Sequence, residues 1–434
     1  MSWQNALLLY TVLLGGAIVI GVPVVAAMTL VGVVGITVQS GTLLWPTLGD
    51  IVWNTANSFA LSAVPLFVLM GEIILRSGAS SRFYQGVSVL LNRLPGNLAQ
   101  ANIMACALFS AISGSSTATA LTIGTVALPE MRKRGYADSL TLGTLTGGGA
   151  LGNLIPPSIF LLVYAAVVQE SVIDLFVATI IPGAVAVVMF MAYVAWRALR
   201  DPSLVPPRAT HHTARDYLLA LWQCVPISVL ILSIIGGMYW GIVTPTEAAG
   251  FGCLLSIVLA AFYREMDWAR ARTALTTSVA VSSVVILIIV AGQILGYAVV
   301  QAGIAREMAR FLVGLQLSPF TFFTFLFLLY LVLGTFLDGI SMMLLTVPVI
   351  LPTLKAMGMD PVWFGVILVI QSELAQLSPP VGLNLFAVQS IAGDVPMKTI
   401  AWASLPYAVM LSVLTFLLYF YPSWALWLVA SMKG

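Results

Sequence analysis

Long apolar stretches separated by short polar loops run the length of the chain, at approximately 5–22, 23–38, 51–75, 98–131, 137–166, 172–196, 217–243, 246–263, 275–301, 319–357, 361–391 and 398–430. A helix needs about 20 apolar residues to cross about 30 Å of hydrocarbon, so the pattern predicts an all-α polytopic membrane protein. Two stretches are not simple spans. In 98–131 the run Ser113-Gly114-Ser115-Ser116-Thr117 leaves a leading arm of about 15 residues, which reaches only about 22 Å. An arm that short predicts a re-entrant helical hairpin turning at its Ser/Gly tip. The stretch 319–357 reads the same way, with Asp338-Gly339-Ile340-Ser341 as its tip.

Each hairpin is followed by a stretch broken at a double proline, and the spacing repeats. Pro129, Gly135, Pro156 and Pro157 recur 223 residues later as Pro352, Gly358, Pro379 and Pro380. Proline removes a backbone donor, and inside a bilayer that is tolerated only where protein or a water-filled cavity supplies other partners. Two matched breaks predict a secondary transporter built from two related halves, its broken helices meeting near the bilayer midplane around a solute. The expected organisation is a first repeat over 1–196, a linker over 197–216 and a second repeat over 217–434. A moving domain over 98–170 plus 319–392 would work against a scaffold, with the amphipathic pieces 79–93 and 304–316 lying at the membrane surface as arms.

Charge gives an orientation. With the N-terminus outside and both hairpins non-crossing, the loops 76–97, 131–136, 197–216, 264–274 and 392–398 are cytoplasmic. They hold every basic residue except Arg306, Arg310, Lys355 and Lys433, which is 18 − 4 = 14 of the 18. That bias predicts an inverted repeat, with hairpin one opening from the cytoplasm and hairpin two from the opposite face. A composition of 60% hydrophobic and 8% charged residues excludes a soluble globular chain, and a net charge of +2 without a basic tract excludes a nucleic-acid grip. The run Ala6–Ile20 reads as the first span and not as a removable signal. Cys106, Cys224 and Cys253 read as small core hydrophobes, His211 and His212 as solvated linker residues, and Trp402, Trp424 and Trp427 as interfacial anchors. No metalloprotease motif, catalytic aspartate pair, activated serine or phosphate-binding loop is present in the sequence, so the chain does not read as an enzyme or as a direct user of ATP.

Five linked motifs then carry a resemblance. They are Ser113-Gly114-Ser115-Ser116-Thr117-Ala118-Thr119, Leu128-Pro129-Glu130-Met131 with Lys133-Arg134-Gly135-Tyr136, Gly149-Ala150-Leu151-Gly152-Asn153-Leu154-Ile155-Pro156-Pro157-Ser158, Thr244-Pro245-Thr246-Glu247-Ala248-Ala249 and Ser378-Pro379-Pro380-Val381-Gly382-Leu383-Asn384-Leu385-Phe386. Together they resemble the large membrane (M) subunit of tripartite ATP-independent periplasmic (TRAP) transporters, the DctM-like family. Ser378 departs from that family's usual threonine, and Asn153 from a usual apolar residue. The resemblance implies a sodium-driven importer of organic acids in the bacterial inner membrane, working as an elevator. It implies as partners a separate small membrane (Q) subunit and a periplasmic substrate-binding (P) protein. A stand-alone sodium-coupled divalent-anion symporter is the alternative.

The residues suit that chemistry. Carbonyl oxygens at helix breaks and half-helix C-termini suit Na⁺, and half-helix N-termini suit a carboxylate. A first sodium site joins Ser113, Gly114, Ser115 and Ser116 to Gly152, Leu154 and Pro156. A second joins Asp338, Gly339 and Ser341 to Gln376, Ser378 and Pro379. The substrate falls to Ser116, Thr117, Asn153, Pro157, Ser341, Pro380 and Asn384. Glu373 and Asp338 are either ion-binding or coupling groups, or structural carboxylates bonded to backbone N–H. Glu247, following Pro245 at a helix start, reads as a cap, and Glu72 as the ion-pair partner of Arg76.

Overall fold

The computed structural model describes residues 2–206, 213–393 and 395–433, and every regular element among them is helical. His211, His212 and Arg208 lie outside the described residues. The first half runs α1 (Trp3–Val19), α2 (Val24–Ser40), α3 (Trp45–Ala56), α4 (Ala63–Arg76), α5 (Ala79–Leu90), α6 (Leu98–Ser113), α7 (Ser116–Lys133), α8 (Asp138–Gly149), α9 (Ile159–Val168) and α10 (Val172–Arg200). The second runs α11 (Ala214–Tyr239), α12 (Pro245–Tyr263), α13 (Trp268–Gln301), α14 (Ile304–Gly314), α15 (Pro319–Gly334), α16 (Gly339–Ala356), α17 (Pro361–Gln376), α18 (Leu383–Ala392), α19 (Met397–Phe420) and α20 (Ser423–Lys433). Among the described residues six helices are long and apolar enough to cross a membrane, or seven if the bent pair α3–α4 is one span. Outward-facing apolar side chains such as Leu8, Trp53, Leu218, Leu232, Leu254 and Phe262 fit a lipid-facing surface.

Local chemistry sets the ends of these helices. Ser115 and Asp338, 223 residues apart, are the N-caps of α7 and α16. Both helices span 18 residues, and adding 223 to Ser116–Lys133 gives Gly339–Ala356. Each is followed by a glycine in the left-handed region, Gly135 at φ 83° and Gly358 at φ 72°, where a side chain would be strained. Thr244 and Glu247 form a reciprocal capping box at α12, with Thr244 N–H and Oγ1 both donating to Glu247 Oε2 at 2.8 Å. Those bonds give Glu247 its capping role. Glu72 pairs with Arg76 one turn on, and the three cysteines are buried and unpaired.

Several expectations need correction. The stretch 51–75 is not one helix, because α3 and α4 meet at 54°. Asn57-Ser58 favours leaving a helix and Pro65 suits only a helix start, whereas the corresponding α13 continues through the same point. The stretch 398–430 ends α19 at Phe420, with Pro422 between it and α20. The hairpin tips are shorter than the polar runs suggest. Ser116 and Thr117, like Gly339, Ile340 and Ser341, already belong to the first turns of α7 and α16. The linker too is shorter, since α10 extends to Arg200 and α11 begins at Ala214.

Packing crosses between the halves. α7 lies on α18, and its counterpart α16 lies on α9. One group of helices gathers around the hairpins and breaks: α10 packs on α17 and α6, α19 on α8 and α17, and α20 on α10. Lys433 Nζ reaches Asp174 Oδ2 at 2.5 Å to fix that last contact. The other group pairs α2 with α13, α4 with α12 and α5 with α11. Thus α10 and α19, assigned to the scaffold from sequence, pack mainly with the hairpin group.

Candidate functional site

The first tip is built to lie close against its own break. Gly114, at φ 55°, ends α6, and a Cβ there would stand 3.1 Å from the carbonyl oxygen of Pro157. A Cβ on Gly152 would overlap the backbone of Ser116, so only glycine lets the break approach the tip. Ser113 Oγ lies 2.7 Å from Thr119 Oγ1 across the turn, and Ser115 Oγ accepts from the Ala118 N–H at 3.5 Å. These contacts bring together Ser113, Gly114, Ser115, Ser116 and Gly152, with Pro157 beside them. Leu154 is buried, and its carbonyl lies near Gly183 of α10. Pro156 is buried, while Thr117 is half-buried on the first turn of α7.

A carboxylate from the other half reaches this tip. Ser116 Oγ donates to Glu373 Oε1 at 2.6 Å, and Asn153 Nδ2 donates to the same oxygen at 2.6 Å and to Ser116 Oγ at 2.9 Å. Glu373 is fully buried, and its Oε2 has no partner among the described residues. The sequence grouped Glu373 with the second hairpin and break. In the structure its hydrogen bonds run to the first tip, because α17 passes between both tips. Asn153, expected at the substrate, is the amide that ties the first break to this carboxylate.

The second tip is arranged differently. Asp338 Oδ2 accepts from the Ser341 N–H at 3.1 Å, so this carboxylate caps α16, the structural reading for it. Gly339 rests on α17, where a Cβ would collide with Ser372 Oγ and stand 3.3 Å from the ring of Phe160. Ser378 Oγ, just past the C-terminus of α17, donates back to the Leu374 carbonyl of that helix at 2.8 Å. Among the described residues no hydrogen bond joins Asp338–Ser341 to Gln376–Pro379; Asp338 and Ser378 are engaged locally instead. Pro379 and Pro380 are exposed whereas Pro156 and Pro157 are buried, and both X–Pro bonds at the two breaks are cis.

Buried polar atoms without partners gather along α17 and its neighbours. Ser341 Oγ, Ser372 Oγ, both amide atoms of Gln371 and of Asn384, and Glu373 Oε2 have none among the described residues. Such groups cost free energy unless a ligand, ion or water satisfies them. Ser372 and Gln371 were missed by sequence reasoning, although the triplet Gln371-Ser372-Glu373 is conspicuous in an otherwise apolar helix. Oxygen donors from hydroxyl, amide and carboxylate suit a hard cation, and the N-termini of α7 and α16 suit an anion. Both kinds of group meet here.

Known proteins resemble this chain along most of its length. Residues 11–424 match the family described as "Tripartite ATP-independent periplasmic transporter, DctM component". The chain is 31% identical over 375 residues to the C4-dicarboxylate TRAP transporter large permease protein DctM of Pseudomonas aeruginosa, covering 86% of each. It is 30% identical over 407 residues to the isethionate TRAP transporter permease protein DctMQ of Oleidesulfovibrio alaskensis, covering 92% of this chain and 62% of that one. In fold it is similar to MtrF of Neisseria gonorrhoeae, with a TM-score of 0.61 at 16% identity, covering 93% of both chains.

Proposed function

Because this chain belongs to the DctM-component family of tripartite ATP-independent periplasmic transporters, we propose that it is the large permease subunit of a sodium-driven importer of an organic acid in the bacterial inner membrane. The observation that carries this is the paired arrangement of tip and break, repeated in register and joined across the halves by Glu373. Sodium is assigned to the oxygen-rich first tip around Ser113–Ser116, Gly152 and Asn153. A second sodium is assigned to the region of Asp338, Ser341 and the break at Gln376–Pro379. The solute lies between the tips, within reach of the helix N-termini and the unpaired side chains of Ser341, Ser372 and Asn384.

The halves are an inverted repeat in this reading. Contacts between loops support it. Arg82 pairs with Glu265, Arg132 bonds the Ala392 carbonyl, and the Ala137 N–H bonds the Leu204 carbonyl, all within the face assigned to the cytoplasm. Lys433 pairs with Asp174, and Trp3 packs near Phe311, on the other face. The hairpins, the broken helices and the α10, α19 and α20 helices packed on them form the moving body, and the α2–α13 and α4–α12 pairs the scaffold. A small membrane subunit works beside this chain. A periplasmic binding protein delivers the solute. Relatives of similar identity named for a C4-dicarboxylate and for isethionate support a small organic anion as cargo. The stand-alone symporter is disfavoured by the match to large permeases along most of the chain.

The test is uptake into proteoliposomes of the organic acid held by the cognate binding protein. This chain alone should transport little. Adding the small subunit and binding protein under an inward sodium gradient should restore uptake, and replacing sodium by choline should abolish it. Full uptake by the isolated chain, or uptake indifferent to sodium, overturns the reading.

A further inference from the structure

We propose that Glu373 is a positioning residue that holds the first hairpin closed on its break, leaving the second hairpin as the one that opens to admit and release the solute. The proposal rests on the reading of the two hairpins as the walls of the solute site. Its basis is an asymmetry between positions that the repeat makes equivalent.

Adding 223 to Ser116 gives Gly339, to Ala150 gives Glu373, and to Ser113 gives Phe336. Both first-turn residues, Ser116 and Gly339, land on the adjacent pair Ser372-Glu373 of α17. Only one of the two contacts is bonded. Ser116 Oγ and Asn153 Nδ2 each donate to Glu373 Oε1 at 2.6 Å, Asn153 Nδ2 also donates to Ser116 Oγ at 2.9 Å, and Ser116 is 1% exposed. The second tip has only van der Waals contact there, since Gly339 carries no side chain and the hydroxyls of Ser341 and Ser372 are unpaired. Its tip residue Phe336 is 64% exposed, where the equivalent Ser113 is 8% exposed. The second break is open as well, with Pro379 and Pro380 exposed. A tip held by bonds between buried groups opens rarely, because opening leaves a carboxyl without partners in an apolar surrounding. A tip held by dispersion contacts alone, with an aromatic side chain already outside, opens at much lower cost.

Glu373 fits this role and not that of a mere core group. It belongs to α17 of the second half, yet its partners are the tip and the break of the first, so it fastens one half's hairpin to the other half's helix. Its counterpart Ala150 has no such reach. The latch needs only an oxygen that accepts from Ser116 and Asn153, so a glutamine amide can replace the carboxyl and a leucine cannot.

The experiment uses the full chain in native membranes, with Cys106, Cys224 and Cys253 replaced by alanine and a single cysteine at the equivalent positions Thr117 or Ile340. Both positions are half-buried at the outset. The rate of reaction with a small hydrophilic maleimide is measured. In the parent, position 340 should react faster than position 117. Glu373→Gln should leave the rate at 117 within about twofold, and Glu373→Leu should raise it about tenfold, with little change at 340. If Glu373→Leu does not accumulate, Ser116→Ala and Asn153→Leu each remove one donor from the other side and should raise the rate at 117 several-fold. Equal rates at 117 and 340 in the parent overturn the proposal, as do equal effects of Gln and Leu at 373 or no effect of the donor variants. Each measurement is repeated in sodium and in choline. Indifference of both positions to that exchange counts against sodium coupling while leaving the comparison of Gln with Leu intact.

Discussion

Single side chains at this site divide between those that hold backbone and those left to bind. Ser378 illustrates the first. Its hydroxyl is bonded to the Leu374 carbonyl at 2.8 Å, so Ser378→Ala should leave the sodium dependence of uptake within about twofold of the parent. A clear rise in the sodium needed for half-maximal uptake would restore it as a ligand. Gly152 illustrates close approach. Gly152→Ala drives a methyl into the Ser116 backbone and should lower stability by about 1–3 kcal/mol, the usual cost of overpacking. The check is thermal unfolding in detergent, and an unchanged midpoint would mean that tip and break are not in contact. The sequence made the residue types at these positions legible, because serine, glycine and proline in apolar surroundings need a reason. It could not show that Glu373 turns toward the first tip, since that depends on where α17 runs between two hairpins distant in sequence. Nor could it show that Asp338 spends its carboxylate on the Ser341 N–H.

Whole elements were legible where apolar length and caps agreed. The register of α7 with α16 follows from the 223-residue offset, and the caps Ser115 and Asp338 sit at equivalent places within it. Breaks that depend on a few polar residues within an apolar run were not legible, as at Asn57-Ser58 between α3 and α4. The orientation of elements can be checked directly. Arg134, Ser171 and Ser203 are all exposed. Cysteines at 134 and 203 should resist an impermeant thiol reagent applied outside intact cells, and one at 171 should react. Labelling of 134 from outside would overturn the inverted arrangement.

At the scale of the molecule, two related halves were legible in the 223-residue offset, but not how they grip each other. α7 of the first half lies on α18 of the second and α16 of the second on α9 of the first, while Ser116 and Asn153 bond Glu373. This exchange of partners has a consequence for biosynthesis. When the ribosome has delivered the first half, its hairpin has no Glu373 to close on and α9 has no α16, so their polar groups wait in the membrane until most of the second half has been inserted. Final closure is therefore a late step, and neither half should persist alone. A chain cut within 207–212 and expressed as two pieces should accumulate only when both are made together. Stable accumulation of the first piece by itself would mean that it completes its own fold, and that the crossed packing is added afterwards to a finished unit.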